Sequence, residues 1–200
     1  YRLDKLFSPR SVTVVGGSPR PTSPGRAVVK NLRDGGFEGP IHVVNPHYQE
    51  IEGIRSAKSF DDLPEPPDLV VVAAPAATVP SIVAAAGQKG TPTAIVITAG
   101  LGHGAGSLAD SCEKTARTTG LRLIGPNCLG ILAPYAKLNA SFGAHTPQPG
   151  DLALISQSGA VAAGLVAWAA SRAIGFSAVV SLGDSIDVDF GDLLDYFALD

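Results

Sequence analysis

Short, nearly continuous apolar runs that stop abruptly on small or turn-forming residues constrain this chain more than any other feature. Residues 12–15 end at Gly16-Gly17, 41–44 at Asn45-Pro46 and 69–73 at Ala74-Pro75. Residues 94–97 end at Thr98-Ala99-Gly100, and 121–124 at Gly125-Pro126-Asn127. Runs of this length and composition read as strands buried on both faces. Helical patterns separate them, at 25–34 (Ala27, Val28, Leu32), around Val79, Ile82, Val83 and Ala86, and at 107–119. A short turn or helix is expected at 59–63, before the connector Pro64-Glu65-Pro66-Pro67, and one helical turn around Leu3 and Leu6 in the lead-in 1–9. Strands alternating with helices predict a parallel sheet with right-handed crossovers, the doubly wound α/β class.

In such sheets ligands bind at the carboxyl ends of the strands. Any one of these turns could be bland; five in step predict a binding edge. The first is the most informative, because a Gly-rich turn between strand and helix aims backbone N–H groups and a positive helix end at a phosphate. A diphosphate-containing ligand follows. NAD is disfavoured: the spacing from Gly17 to Gly25 is too long for Gly-x-Gly-x-x-Gly, and the end of the second strand carries Asn45, not the Asp or Glu that takes the ribose hydroxyls.

After Asn127 the pattern changes. Residues 129–149 read as a long connection without a helix. A second unit then begins: strand 152–155, turn Ser156-Gln157-Ser158-Gly159, helix 160–170, strand 178–181, an acidic turn and helix 193–198. Two strands and two helices do not close a stable sheet. The expected division is therefore 1–149 and an incomplete 150–200, and a chain opening on Tyr1 with no Met reads as a piece of a longer protein. Apolar residues make up 45% and charged residues 16%, enough for a core. The net charge is −3 and the 15 Lys and Arg are scattered, which excludes a nucleic-acid footprint and a polybasic membrane patch. No membrane-length apolar run or signal peptide is visible, and Cys112 and Cys128 make no disulfide framework, so a cytoplasmic protein is expected.

The loop Gly16-Gly17-Ser18-Pro19-Arg20-Pro21-Thr22-Ser23-Pro24-Gly25 resembles the Gly-Ala-Ser-x-x-Pro-x-Ser-x-Gly loop of NDP-forming acyl-CoA synthetases, relatives of the succinyl-CoA synthetase α subunit, with Gly17 in place of Ala. The likeness continues, in the family's order, through Val43-Val44-Asn45-Pro46, Ala74-Pro75-Ala76, Ile97-Thr98-Ala99-Gly100, Gly125-Pro126-Asn127-Cys128-Leu129-Gly130, Leu138-Asn139-Ala140-Ser141-Phe142 and Ser156-Gln157-Ser158-Gly159. It implies a Rossmann-like CoA-binding domain followed by the start of a flavodoxin-like, succinyl-CoA-synthetase-like domain. CoA or acetyl-CoA is the implied cofactor, with ATP, ADP and Mg reached only through domains outside this segment. The CoA diphosphate would take donors from Gly16, Gly17, Ser18, Ser23 and Gly25, with charge from Arg20 or Arg26. Asn45, Pro46 and His47 would border the nucleotide, Ala74 and Pro75 an adenine face, and Thr98, Ala99, Gly100, Asn127 and Cys128 the pantetheine arm. The family often has Lys after Asn-Pro, suited to the CoA 3′-phosphate; here His47 stands there, and Arg20 is the available substitute.

Ser158 lacks the Gly-x-Ser-x-Gly flanks of a hydrolase nucleophile. Its turn is either a plain helix cap or, as the resemblance implies, a helix start facing a phosphoryl group carried by a downstream histidine. His42, His47, His103 and His145 are scattered without a phosphoryl motif, so no catalytic residue is expected in the segment. The acidic run 184–192 fails EF-hand spacing, and no metal is expected; Asp192 and Asp195 read as acids opening a helix. Cys112 and Trp168 read as packing residues, and modification of Cys128 is expected to compete with ligand. Ser181-Leu182-Gly183-Asp184-Ser185, with Asp187, Asp189 and 192–196, resembles the version in bacterial lysine acetyltransferases that fuse a ligase-like region to a GNAT domain. The main reading is the CoA-binding segment of such a fused protein, in an oligomer, with ATP-grasp and GNAT domains as partners. The alternatives are the α-type portion of an active ADP-forming acetate–CoA ligase, and a stand-alone CoA or nucleotide sensor.

Overall fold

The computed structural model describes residues 3–198. The expected runs become β1 (Val12–Gly16), β2 (Ile41–Val44), β5 (Leu69–Ala73), β6 (Thr93–Val96) and β7 (Arg122–Ile124). Between β2 and β5 the chain adds β3 (Glu50–Ile51) and β4 (Ile54–Ala57), giving a seven-stranded sheet in the order β3-β4-β2-β1-β5-β6-β7. Every pairing is parallel except the β3–β4 hairpin. Because β1 lies between β2 and β5, the strand order reverses at the end of β1, which opens a crevice there.

Side-chain alternation assigns each face its cover. Val15, Val44, Val70, Val72 and Val96 pack under α3 (Val79–Gln88) and α4 (Leu108–Thr119). Val12, Val14, Leu69, Val71 and Ile95 face the other way, onto α1 (Asp4–Phe7) and α2 (Pro24–Asp34). The helical turn expected in the lead-in is α1; the lead-in's first two residues lie outside the described residues. Phe7 stacks on Tyr196, ring centroids 4.9 Å apart, and meets Phe197 in a tilted contact at 5.1 Å, both from α6 (Phe190–Ala198).

The stretch 129–149 is not a plain connection. It holds β8 (Gly130–Ala133) and β9 (Leu138–Ser141), an antiparallel hairpin, and β8 pairs antiparallel with β11 (Phe176–Ser181). With β10 (Pro149–Ser156) this makes a four-stranded sheet, β10-β11-β8-β9, so the second unit has more strands than the two expected. The hairpin lies on α2, where Asn31 Nδ2 donates to the carbonyls of Ser141 (2.9 Å) and Gly143 (2.8 Å). One face of this sheet (Ile131, Ala140, Val180) joins the core of the first; α5 (Gly159–Ala170) covers the other.

Trp168 is a correction: it is 50% exposed, with the Arg172 guanidinium 4.4 Å from its ring centroid. Helix α5 is apolar all round, but the sheet buries only the Ala162, Val166 and Ala169 side. The acidic run does open α6, Asp189 Oδ1 accepting from the Asp192 N–H (3.0 Å). It also ties the two sheets: Arg122 in β7 donates to Asp187 (3.1 Å) and Asp192 (2.7 Å).

Candidate functional site

The loop after β1 occupies the crevice, and its glycines are required by close approach. Gly16 has φ +94°, and a Cβ there would lie 2.5 Å from the Ala73 carbonyl oxygen of β5. A Cβ on Gly25 would come 2.7 Å from Gly17 Cα, because the loop folds back on the first turn of α2. Ser23 caps that helix; its Oγ accepts from Arg26 N–H (3.4 Å) and Ser18 N–H (3.0 Å), and Pro24 follows at the first helical position. The Ser18 N–H is thus consumed within the loop. Among the described residues, the Gly17 N–H, the Ser23 hydroxyl hydrogen and the Arg20 guanidinium are left without a partner in the loop. Arg20 is exposed and makes no ion pair among the described residues. Arg26 is not free: it pairs with Glu52 and donates to the Pro19 carbonyl at 2.9 Å.

Asn45 acts as a clamp. Buried at the end of β2, its Nδ2 donates to Gly17 O (2.7 Å) and its Oδ1 accepts from His47 N–H (2.8 Å) and Tyr48 N–H (3.2 Å). One side chain thereby fixes both the loop and the turn beside it. An Asp here could not make the first of these bonds, which gives the absent ribose acid a structural reason.

Two cavities lie along the edge. The first, about 800 Å³, is bounded by the β1 loop from Gly16 to Ser23, by Asn45, Pro46 and His47, and by Ala74 and Pro75. Residues that the sequence did not single out for this site complete it: Tyr48, Lys58 and Phe60 on one side, Ile82 and Ala85 of α3 and the Lys89 that follows it on the other. The signal for the first group was the Glu52-Gly53 pair, both with positive φ, which turns the β3–β4 hairpin and returns the chain to the edge. The second cavity, about 820 Å³, shares Ala73, Ala74 and Pro75 with the first and runs past Thr98, Ala99, Asn127 and Cys128 to Gly159, Ala160 and Ala163 of α5. Thr98 Oγ1 donates to Ala74 O (2.7 Å), and Asn127 Nδ2 donates to Asp184 (3.2 Å), so these side chains brace the walls.

Not every expected residue lines a cavity. Gly25 is buried behind the loop and Gly100 is exposed outside both. Ser156, Gln157 and Ser158 sit behind the α5 start: Ser158 Oγ accepts from Val161 N–H (3.3 Å) and Ser156 Oγ from Ser158 N–H (3.1 Å), a cap that presents Gly159 to the cavity. Cys128 forms part of the second wall, but its thiol donates to Val96 O (3.4 Å), and burial pushes its pKa up to about 12. Modification of this thiol in the folded protein is therefore not expected, a correction to the sequence reading. His103 and His145 are exposed, and among the described residues no cluster of His, Cys, Asp and Glu could hold a metal.

Comparison with known proteins agrees with this geometry. Residues 149–200 match the succinyl-CoA ligase like flavodoxin domain. The chain is 42% identical, over 98% of its length, to the α subunit of ADP-forming acetate–CoA ligase I from Pyrococcus furiosus, covering 44% of that protein. It is 40% identical to the ADP-forming acetate–CoA ligase of Methanocaldococcus jannaschii, over 98% of this chain and 28% of that one. The structure of the dinucleotide-forming acetyl-coenzyme A synthetase 1 of Ca. Korarchaeum cryptofilum, in complex with phosphate and ADP, superposes with TM-score 0.93 at 35% identity, over 99% of this chain and 43% of that one. The chain thus spans less than half the length of these relatives. Residues 10–134, more than half of the chain and the part that builds the Gly-rich loop and both cavity floors, match the CoA binding domain model, and the chain belongs to that family.

Proposed function

We propose that this chain is the CoA-binding portion of an ADP-forming acetate–CoA or related acyl-CoA ligase. The observation that carries the reading is the pair of cavities sharing the Ala73-Ala74-Pro75 wall at the sheet's switch point. One end has a phosphate loop and room for a nucleotide; the other is a mostly apolar channel that ends at a helix N-terminus. CoA has this layout: nucleotide, diphosphate, then a long pantetheine arm carrying the thiol. In the reading, Gly17, Ser23 and Arg20 hold the diphosphate, Ala74 and Pro75 flank the adenine, and Thr98 to Asn127 guide the arm. The first turn of α5, with Gly159 at the cavity, offers a positive helix end to a phosphoryl group or acyl phosphate. CoA supplies the thiol that accepts the acyl group; the phosphoryl relay through histidine to ADP belongs to parts of the protein beyond these residues.

The relatives named above favour this reading over the acetyltransferase-fused one, because they are ADP-forming ligases over the whole matched length. Asp184, which carries the other likeness, braces Asn127. The proposed division, 1–149 and 150–200, is one of function and not of sheets, since the β8–β9 hairpin precedes it. Partner subunits or ATP-grasp domains, an oligomer and a cytoplasmic setting go with the proposal. Among the described residues no helix is long and apolar enough to cross a membrane.

Calorimetry of the protein with CoA and NAD tests the reading. CoA is expected to bind at least tenfold more tightly than NAD, a difference of roughly 1.4 kcal/mol. Tighter binding of NAD overturns it.

A further inference from the structure

His47 stands where resembling proteins often place a lysine, and the structure offers another cation for the same corner. Strands β2 and β4 run parallel in the register Val43↔Ser56 and Val44↔Ala57, and the Asn45 N–H donates to Ala57 O (2.9 Å). Lys58 therefore emerges beside Asn45, on the neighbouring strand of the same edge, and lines the same cavity as Asn45, Pro46 and His47. Its backbone is held: Asp62 Oδ2 accepts from the N–H groups of Lys58 (3.2 Å) and Ser59 (3.1 Å), closing a capping box. Its ammonium makes no ion pair among the described residues.

The other cations lining this cavity, Arg20 and Lys89, stand on other elements, and Arg26 does not line it. Arg20 belongs to the diphosphate loop. Lys89 caps the carboxyl end of α3, where the helix carbonyls disfavour a phosphate. Arg26 pairs with Glu52. A histidine carries a switchable charge at neutral pH, a lysine a standing one.

Resting on the CoA reading above, we infer that Lys58 is the specificity-determining residue for the phosphorylated ribose, distinguishing CoA from dephospho-CoA. Asp61, exposed on the same wall, opposes that phosphate and tunes the preference down.

The test is calorimetry of the protein and its Lys58→Ala, Lys58→Arg and Asp61→Asn variants with CoA and dephospho-CoA, with NAD and NADP as a second pair. The wild type is expected to prefer CoA by about tenfold, as one charge-assisted contact allows. Lys58→Ala is expected to reduce the preference to about twofold or less by weakening CoA alone. Lys58→Arg keeps most of it, and Asp61→Asn raises it. Unchanged dephospho-CoA affinity shows that the variant folds and the rest of the site is intact. Equal wild-type affinity for the two CoA forms, or a preference that survives Lys58→Ala, overturns the assignment while leaving the CoA reading standing. Binding of neither CoA form, or tighter binding of NADP than of CoA, overturns the CoA reading itself.

Discussion

The two sheets bury their apolar residues to different degrees. In the seven-stranded sheet, helices on one face and helices plus the second sheet on the other leave Val14, Val70, Val71 and Val72 without solvent contact. In the four-stranded sheet the outer flank is open: Leu152 on edge strand β10 is 54% exposed, and Val161, Leu165 and Trp168 form an apolar stripe on the bare side of α5. The difference teaches that apolar composition predicts a demand for burial, and neighbours decide whether it is met. A helix without a polar face is written for cover on every side, and the described residues supply it on one. The better covered sheet carries the Gly-rich loop, whose close approaches to Ala73 and Gly25 leave no room for a Cβ.

The strongest way to break the contrast is Gly16→Val. It forces a β-branched side chain into φ +94° and onto the Ala73 carbonyl. A loss of several kcal/mol is expected, ~4 or more, together with CoA binding; denaturant unfolding measures it. A matched pair sharpens the contrast next. Leu123→Ala in buried β7 should cost about 3 kcal/mol, whereas Trp168→Ala on the open flank should cost under about 1. Similar losses at both positions would show that the flank is covered in solution.

An effect between those two is electrostatic, at the opposite end of the covered sheet. Burial works against the charge of Asp68, but hydrogen bonds from Arg10 and Lys5 outweigh it and bring its pKa from 3.8 to about 2. A depressed carboxylate contributes stability that is full above pH 3.8 and fades as pH falls toward 2. The contribution is about 2 kcal/mol at most. Asp68→Asn should flatten the acid side of the stability curve between those values, as acid titration at constant salt would show.

Most of the first sheet was legible because its strands are continuous apolar runs, each closed by residues that cannot extend a strand or helix. Gly16-Gly17 and Asn45-Pro46 also marked the edge where the first cavity lies. The β8–β9 hairpin was not legible: Gly130–Ala133 and Leu138–Ser141 are short and lack alternation, and only pairing with β11 and packing on α2 make them strands. Cys128 and Trp168 were misjudged for different reasons. Cys128 is buried, as most cysteines are, and its place at the sheet edge wrongly suggested an accessible thiol; Trp168 departs from the usual burial of its type because nothing among the described residues covers its side of α5.

The Gly-rich loop, its place after the first strand and the class of ligand were determined by local chemistry: which residues permit positive φ, cap a helix or end a strand. Tertiary structure alone decided what those residues do. It assigned Asn45 to clamp the loop, spent Arg26 on Glu52, and brought Lys58 to the cavity that His47 also lines. Such roles depend on which groups meet across strands, and strand pairing is a property of the folded sheet that no single segment encodes.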